Sequence, residues 1–122
     1  MNEQYETIGK ITIAPDVLLT IVKFTALQEP GVARLAARRS VYSNKPLRAK
    51  QSRQNGVTVT VHNGRVRVEV HVVADGSVSA RELGENLQRH ITNALKEMVG
   101  MPVEAVHVII DDVESDYRVR PS

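Results

Sequence analysis

The chain has 122 residues, of which 16 are basic and 14 acidic, and it contains no cysteine. This length suits one domain with a modest core, and the lack of cysteine excludes disulfides, thiolate zinc sites and thiol nucleophiles. The acidic start MNEQYETIGK does not resemble a secretory signal, and no apolar run reaches the roughly 18 residues needed to cross a bilayer. We therefore expect a cytoplasmic, soluble protein.

The first predicted elements are a short strand and a helix. Isoleucines at positions 8, 11 and 13, separated by Gly9, Lys10 and Thr12, predict a strand over residues 8–13. Pro15 suits the first turn of a helix, and Pro30-Gly31 suits its end, so the helix should run to about residue 28. Residues 1–7 are predicted to be an N-terminal tail.

The predicted first helix is apolar around most of its circumference. Its polar sector is narrow and holds Asp16, Thr20 and Lys23. A surface helix needs an apolar stripe of only about 100° to pack on a core. The excess indicates either deep burial between a sheet and the segment that follows, or a second apolar face that contacts another chain. For the second alternative, the candidate self-association or partner residues are Leu19, Phe24 and Leu27.

The segment RLAARRSVYSNKPLRAKQSR, residues 34–53, holds seven basic residues and no acidic one. The rest of the chain then has 9 basic and 14 acidic residues, so the charge is segregated along the sequence. We predict a basic loop over residues 34–55, which could be a solvated loop, a docking segment for an acidic protein partner or an anionic membrane surface, or a phosphate-binding arm. The candidate electrostatic contacts are Arg38, Arg39, Lys45, Arg48, Lys50 and Arg53.

A β-hairpin is predicted over GVTVTVHNGRVRVEVHVV. Asn63-Gly64 is a favoured two-residue turn, because both residues tolerate a positive φ. This turn pairs Val61 with Val66 and places six valines on one face, with His62, Arg65 and other polar residues on the opposite face. The register set by the turn and the register set by the alternation agree.

A second helix and a final strand complete the predicted domain. Ser79 and Glu82 form a capping box, and Gly100 followed by Pro102 ends a helix over 80–99 whose apolar positions include Met98. Residues 103–110 predict a strand with Val106, Val108 and Ile110 inward. The expected fold is a small two-layer α+β domain over residues 8–113, in the order β-α-β-β-α-β, with a mostly antiparallel sheet and two helices on one face. Residues 114–122 are predicted to be a C-terminal tail.

Sites for catalysis or cofactors are not predicted. The sequence has no P-loop, no G-x-G-x-x-G and no G-x-S-x-G pattern. The four histidines are better explained as solvated residues on strand faces than as metal ligands. The protein is therefore expected not to be an enzyme and to need neither a metal nor a cofactor, and no small-molecule substrate is evident.

The segment GKITIAPDVLLTIVKFTALQEPGVARLAA resembles the opening signature of the alkaline shock protein, or envelope stress response, family of mainly Gram-positive bacteria. The string GVTVTVHNGRVRVEVHVVADGSV, the long helix containing Gln88, and VEAVHVII extend the resemblance over about residues 8–113. The resemblance implies a non-enzymatic cytosolic protein that self-associates and is held near the membrane by a membrane-anchored protein partner.

Two functions remain open at this point. The first is a stress-response scaffold or interaction protein of cell-envelope homeostasis, forming a homo-oligomer and docking to such a partner. The alternative is a sequence-nonspecific nucleic-acid-binding protein that uses residues 34–53. The chain lacks the stacking aromatics and the G-x-x-G clamp of RNA-binding modules, which makes the alternative weaker.

Overall fold

The computed structural model of the protein describes residues 8–36 and 51–114. Its elements, in chain order, are α1 (Pro15–Gln28), β1 (Val32–Leu35), β2 (Gln51–Gln54), β3 (Val57–His62), β4 (Arg65–Ala74), α2 (Ala80–Val99) and β5 (Val103–Val113). The strands form one five-stranded sheet. β4 pairs antiparallel with β1 and β3, and parallel with β5, while β2 pairs antiparallel with β3. The predicted α+β class and mostly antiparallel sheet are confirmed.

The β3–β4 hairpin has the predicted register. Val61 pairs with Val66 and His62 with Arg65 across the Asn63-Gly64 turn, and both turn residues have a positive φ. The six valines paired across this hairpin face the helices and are buried except for the partly buried Val61, because strand alternation places them on one side of the sheet. They form one core with the buried faces of the two helices.

The second helix is also as predicted. Glu82 donates its backbone N–H to the Ser79 hydroxyl at 3.1 Å, and Gly100 ends the helix in the left-handed conformation. Leu83, Leu87, Ile91 and Leu95 are fully buried. Met98 shares their helical face but is exposed, and the adjacent Val99, four residues after Leu95, packs against the core instead.

The predicted strand over residues 8–13 is wrong. Residues 9–14 have no regular secondary structure, and Gly9 has a φ of 112°, which interrupts the extended chain. The segment that follows α1 supplies β1 instead, and β1 occupies the edge of β4 beyond the end of β3. Alternation of residue types favours a strand, but it does not show whether a neighbouring strand is available to pair with the segment.

The predicted basic loop begins and ends in strands. Leu35 lies in β1, and β2 forms a second hairpin with β3 through Asn55-Gly56, where both residues have a positive φ. Ala36 donates its N–H to the carbonyl of His71, and His71 donates its N–H to the carbonyl of Gly56. β1 and β3 therefore follow one another along the same edge of β4, and the basic segment is inserted between them.

Candidate interaction surface

The inner face of α1 belongs to the hydrophobic core. Leu18, Val22 and Ala26 are fully buried, and Leu19 is only 5% exposed. Leu19 was predicted to belong to an interaction surface, but in this structure it packs against the core. Its helical spacing cannot reveal this, because the apolar residues of α1 surround most of the helix.

The outward face of α1 carries three large apolar side chains. Phe24 is 62% exposed, Leu27 is 53% exposed and Val17 is 47% exposed. Positions 17, 24 and 27 are seven and three residues apart, a spacing that places them along one side of a helix. Single exposed apolar residues are normal on protein surfaces, whereas a contiguous apolar stripe marks a site of interaction.

The polar side of α1 contacts β2. The Ser52 hydroxyl donates to an Asp16 carboxylate oxygen, and Lys23 Nζ donates to Gln54 Oε1 at 3.0 Å. Ser52 is buried in this contact. Within the described residues, the end of the basic segment thus contacts Asp16 and Lys23, while the side chains of Phe24 and Leu27 remain exposed.

The C-terminal end of α1 is joined to α2 by a contact between a buried carboxylate and an exposed imidazole. Glu29, the residue after α1, has a side chain that is 4% exposed, and its Oε1 lies 2.5 Å from Nδ1 of His90. A buried carboxylate is costly unless it is paired, so this contact fixes how the two helices pack. Sequence reasoning missed this pair, because no local pattern connects two residues so distant in the sequence.

Five of the six predicted electrostatic residues lie outside the described residues: Arg38, Arg39, Lys45, Arg48 and Lys50. Arg53 lies on β2, half-buried and opposite Thr58. Another cation of the segment, Arg34, lies on β1 and forms a 2.8 Å ion pair with Glu114. The hydrogen bond that Arg34 donates to the Glu114 carboxylate is the main reason that the pKa of Arg34 is raised. The start of the basic segment therefore contacts the acidic end of β5 within one chain.

The histidines do not converge on one site. His62 and His107 are exposed, as predicted, but His71 is buried on the outer face of the sheet. Its Nε2 lies 2.9 Å from Glu69 and its Nδ1 lies 3.3 Å from Asp111, so carboxylates occupy both ring nitrogens. Among residues 8–36 and 51–114 there is no group of three or more side chains arranged to hold a metal ion.

The second hairpin turn was overlooked, although the sequence carried its signal. Asn55-Gly56 is the same dipeptide as Asn63-Gly64 and favours the same turn. A Cβ at position 56 would lie 2.1 Å from the carbonyl oxygen of Ala36, so the position requires glycine for space as well as for its positive φ. This turn folds β2 back along β3 and positions Ser52 and Gln54 against α1.

The fold and surface define a small α+β domain with an apolar helix face directed away from its own core. Within the described part of the chain, neither helix combines the length and hydrophobicity required to cross a bilayer. Residues 3–115 match the model of the alkaline shock protein 23 family, which is described as having a cell envelope-related function. The chain belongs to this family, and the resemblance found in its sequence is confirmed.

Proteins from two bacterial species are similar to this chain over most of its length. Spy1614 of Streptococcus pyogenes serotype M6 is 25% identical over 107 residues, which is 87% of this chain and 88% of that protein. Spy1535 of the same organism is 26% identical over 117 residues, 95% of this chain and 88% of that protein. YqhY of Bacillus subtilis strain 168 is 22% identical over 120 residues, 98% of this chain and 88% of that protein.

Solved structures of MamM CTD align with this fold. A manganese form aligns with a TM-score of 0.45 and 10% identity, over 80% of this chain and 96% of that chain. A zinc form aligns with a TM-score of 0.45 and 13% identity, over 82% of this chain and 84% of that chain.

Proposed function

We propose that this protein is a non-enzymatic interaction protein of the cell envelope that self-associates and docks to a membrane-anchored protein partner from the cytoplasmic side. The observation that carries the proposal is the exposed apolar face of α1, formed by Val17, Phe24 and Leu27. The envelope-related description of the family supports the cellular context.

Among residues 8–36 and 51–114, the outward face of α1 remains exposed. The opposite face already supplies the fully buried Leu18, Val22 and Ala26, and the flanks of the helix contact β2 and α2 through polar pairs. Three exposed apolar side chains therefore remain available for another protein. Covering them removes apolar area from water, which is the dominant favourable term in protein association.

The expected strength of this contact is modest. Fully burying one large apolar side chain contributes about 1.5–3 kcal/mol, whereas association costs about 4–15 kcal/mol in lost translational and rotational freedom. Three partly exposed anchors thus support a weak contact unless further contacts strengthen it. In the proposal, Arg38, Arg39, Lys45, Arg48, Lys50 and Arg53 supply an electrostatic contact of this kind.

The first experiment compares Phe24→Asp with Asn93→Asp by sedimentation velocity across a concentration series. Each substitution adds one negative charge at an exposed helical position, but only the first lies on the apolar face. We expect Phe24→Asp to lower the association constant by about tenfold or more, which corresponds to 1.4 kcal/mol, and Asn93→Asp to behave as wild type. If wild type and both variants sediment equally, the outward face of α1 is not a self-association surface.

The partner is tested by a tagged pull-down from lysate of the native host, with and without nuclease. Retention of a membrane-anchored protein, unaffected by nuclease and lost with Phe24→Asp, would support the proposal. Retention of RNA or DNA, with protein partners lost after nuclease treatment, would overturn it and favour a phosphate-binding role for the basic segment. Phosphate contacts would also weaken steeply with added salt, whereas an apolar contact would not.

A further inference from the structure

The long edge of β5 is unpaired within the described residues. β5 has 11 residues and pairs with β4 from Val66 to Ala74, and no other described strand pairs with β5. An unpaired strand edge presents a row of backbone donors and acceptors that can bind another extended chain. An edge of this length is a ready template for strand addition.

One side chain already occupies an acceptor on β5. Gln88 of α2 donates from Nε2 to the carbonyl of Val106 at 3.2 Å. The backbone N–H and C=O of successive residues in a strand point to opposite edges. Those of Val108, two residues further on, therefore point to the same edge as those of Val106. Val106 and Val108 also direct their side chains toward the core, so an added strand would contact the backbone without disturbing that packing.

A second segment with a strand-like sequence pairs with none of the described strands. Residues 9–13 have the alternation of a strand but no regular structure, and the nearby Ile8 and Ile11 are 75% and 90% exposed. This segment lines a groove of about 410 Å³ at the tip of the β3–β4 hairpin, together with Val61 and Met101. Isoleucine and threonine are favoured in strands, so the sequence is suited to a pairing that the single chain does not provide.

We propose that residues 9–13 of one copy add as a strand to the free edge of β5 in a second copy. The charges are complementary, since the added segment carries Lys10 and β5 carries the exposed Asp112, whereas Glu104 and Asp111 already contact Arg67 and His71. Main-chain hydrogen bonds supply affinity in such strand addition. In its own copy the segment lies against the hairpin tip, and not along β5.

This contact joins two different surfaces, so it is heterologous unless two copies exchange their segments reciprocally about a two-fold axis. A heterologous contact leaves one free donor segment and one free acceptor edge at the ends of an open assembly, and it extends into an open chain unless the rotation closes a ring. The strand contact does not involve the outward face of α1, so the strand contact and the helix contact could each form without the other.

The test uses full-length protein carrying Phe24→Asp, which removes the proposed helix contact. In this background, Ile11→Pro disables the donor segment, and Val108→Pro disables the acceptor edge by removing one outward N–H. Proline is tolerated on edge strands where the N–H faces solvent. Ile11→Val is the matched control, because it preserves strand propensity, and circular dichroism verifies that each variant is folded.

We expect the associated fraction of the Phe24→Asp protein, and of the Ile11→Val control in that background, to rise with protein concentration. Each proline variant alone should remain a monomer. A mixture of the two proline variants should form a one-to-one pair, because one retains the donor and the other the acceptor. If Val108→Pro unfolds the domain, the charge-reversed variants Lys10→Glu and Asp112→Lys replace the two proline variants. Each charge-reversed variant alone should associate more weakly, and a mixture of the two should recover the association. A monomeric Phe24→Asp protein, or a mixture that forms no pair, would overturn the inference.

Discussion

The two helices cover the same sheet but differ in what they present to solvent. Both bury a row of aliphatic side chains, Leu18 and Val22 in α1 and Leu87 and Ile91 in α2. The outward side of α2 is polar and includes Arg81 and Glu85, four residues apart and in contact, whereas α1 exposes large apolar side chains. Within the described residues both inner faces pack into one core, so the two helices differ in their outer faces.

The ends of the helices differ as well. α2 begins at Ser79, which accepts a hydrogen bond from the backbone of Glu82, and ends at a left-handed glycine. α1 begins at Ala14, which provides no side-chain cap, and ends in extended backbone at Glu29. The boundaries of α2 are thus encoded locally, whereas α1 depends on Pro15, its core packing and the Glu29–His90 pair.

The largest expected effect on stability comes from substitutions on the inner faces of the two helices. Leu18→Ala in α1 and Leu87→Ala in α2 should each lower the free energy of unfolding by about 2–5 kcal/mol, because each creates a cavity among fully buried side chains. Chemical denaturation at a concentration where the protein is monomeric measures this. A much smaller loss for Leu18→Ala would show that α1 contributes less to the core than α2.

The helix caps should have an intermediate effect. Ser79→Ala should lower stability by about 1 kcal/mol, because the Glu82 N–H loses its acceptor. Ala14→Ser offers α1 the cap that it lacks and should raise stability by up to about 1 kcal/mol. Thermal unfolding of both variants measures this difference, and the comparison fails if the serine at position 14 has no effect while the alanine at position 79 is costly.

The outward face should contribute little to the stability of the single domain. Phe24→Ser and Leu27→Ser should change the unfolding free energy of the dilute monomer by no more than about 0.5 kcal/mol, the usual range for surface substitutions. The same variants should sediment as smaller species at high concentration. A large loss of monomer stability would instead identify these side chains as part of the fold.

The smallest effect concerns the loop before α2, where Ser77 lowers the pKa of Asp75 through side-chain and backbone hydrogen bonds. Because the pKa of Asp75 is lower in the folded state, its contribution is present above the usual value of 3.8 and is lost as the pH falls below it. The Asp75→Asn variant has no carboxylate to protonate at this position. It should therefore lose slightly less stability than wild type when the pH is lowered through that range. Denaturation midpoints near pH 3 and pH 6 measure this, and an equal loss in variant and wild type would contradict it.

The sequence was most informative where a local signal and its partner lie close together in the chain. The β3–β4 register follows from Asn63-Gly64 and the alternating valines, and the limits of α2 follow from Ser79 and Gly100. The pairing of β1 and β5 with β4 was not predicted, because no local pattern specifies which distant strand lies at an edge. The second turn, Asn55-Gly56, shows that a readable signal also existed inside the segment predicted to be a loop.

The sequence by itself determined the α+β class, the hairpin, both helices and the excess of apolar surface on the first helix. Tertiary structure alone decided that Leu19 packs in the core while Phe24 is exposed, and that residues 9–13 have no strand partner. The physical reason is that periodicity specifies which side chains share a face of an element. Whether that face meets the core, another strand or solvent depends on long-range packing of the whole chain.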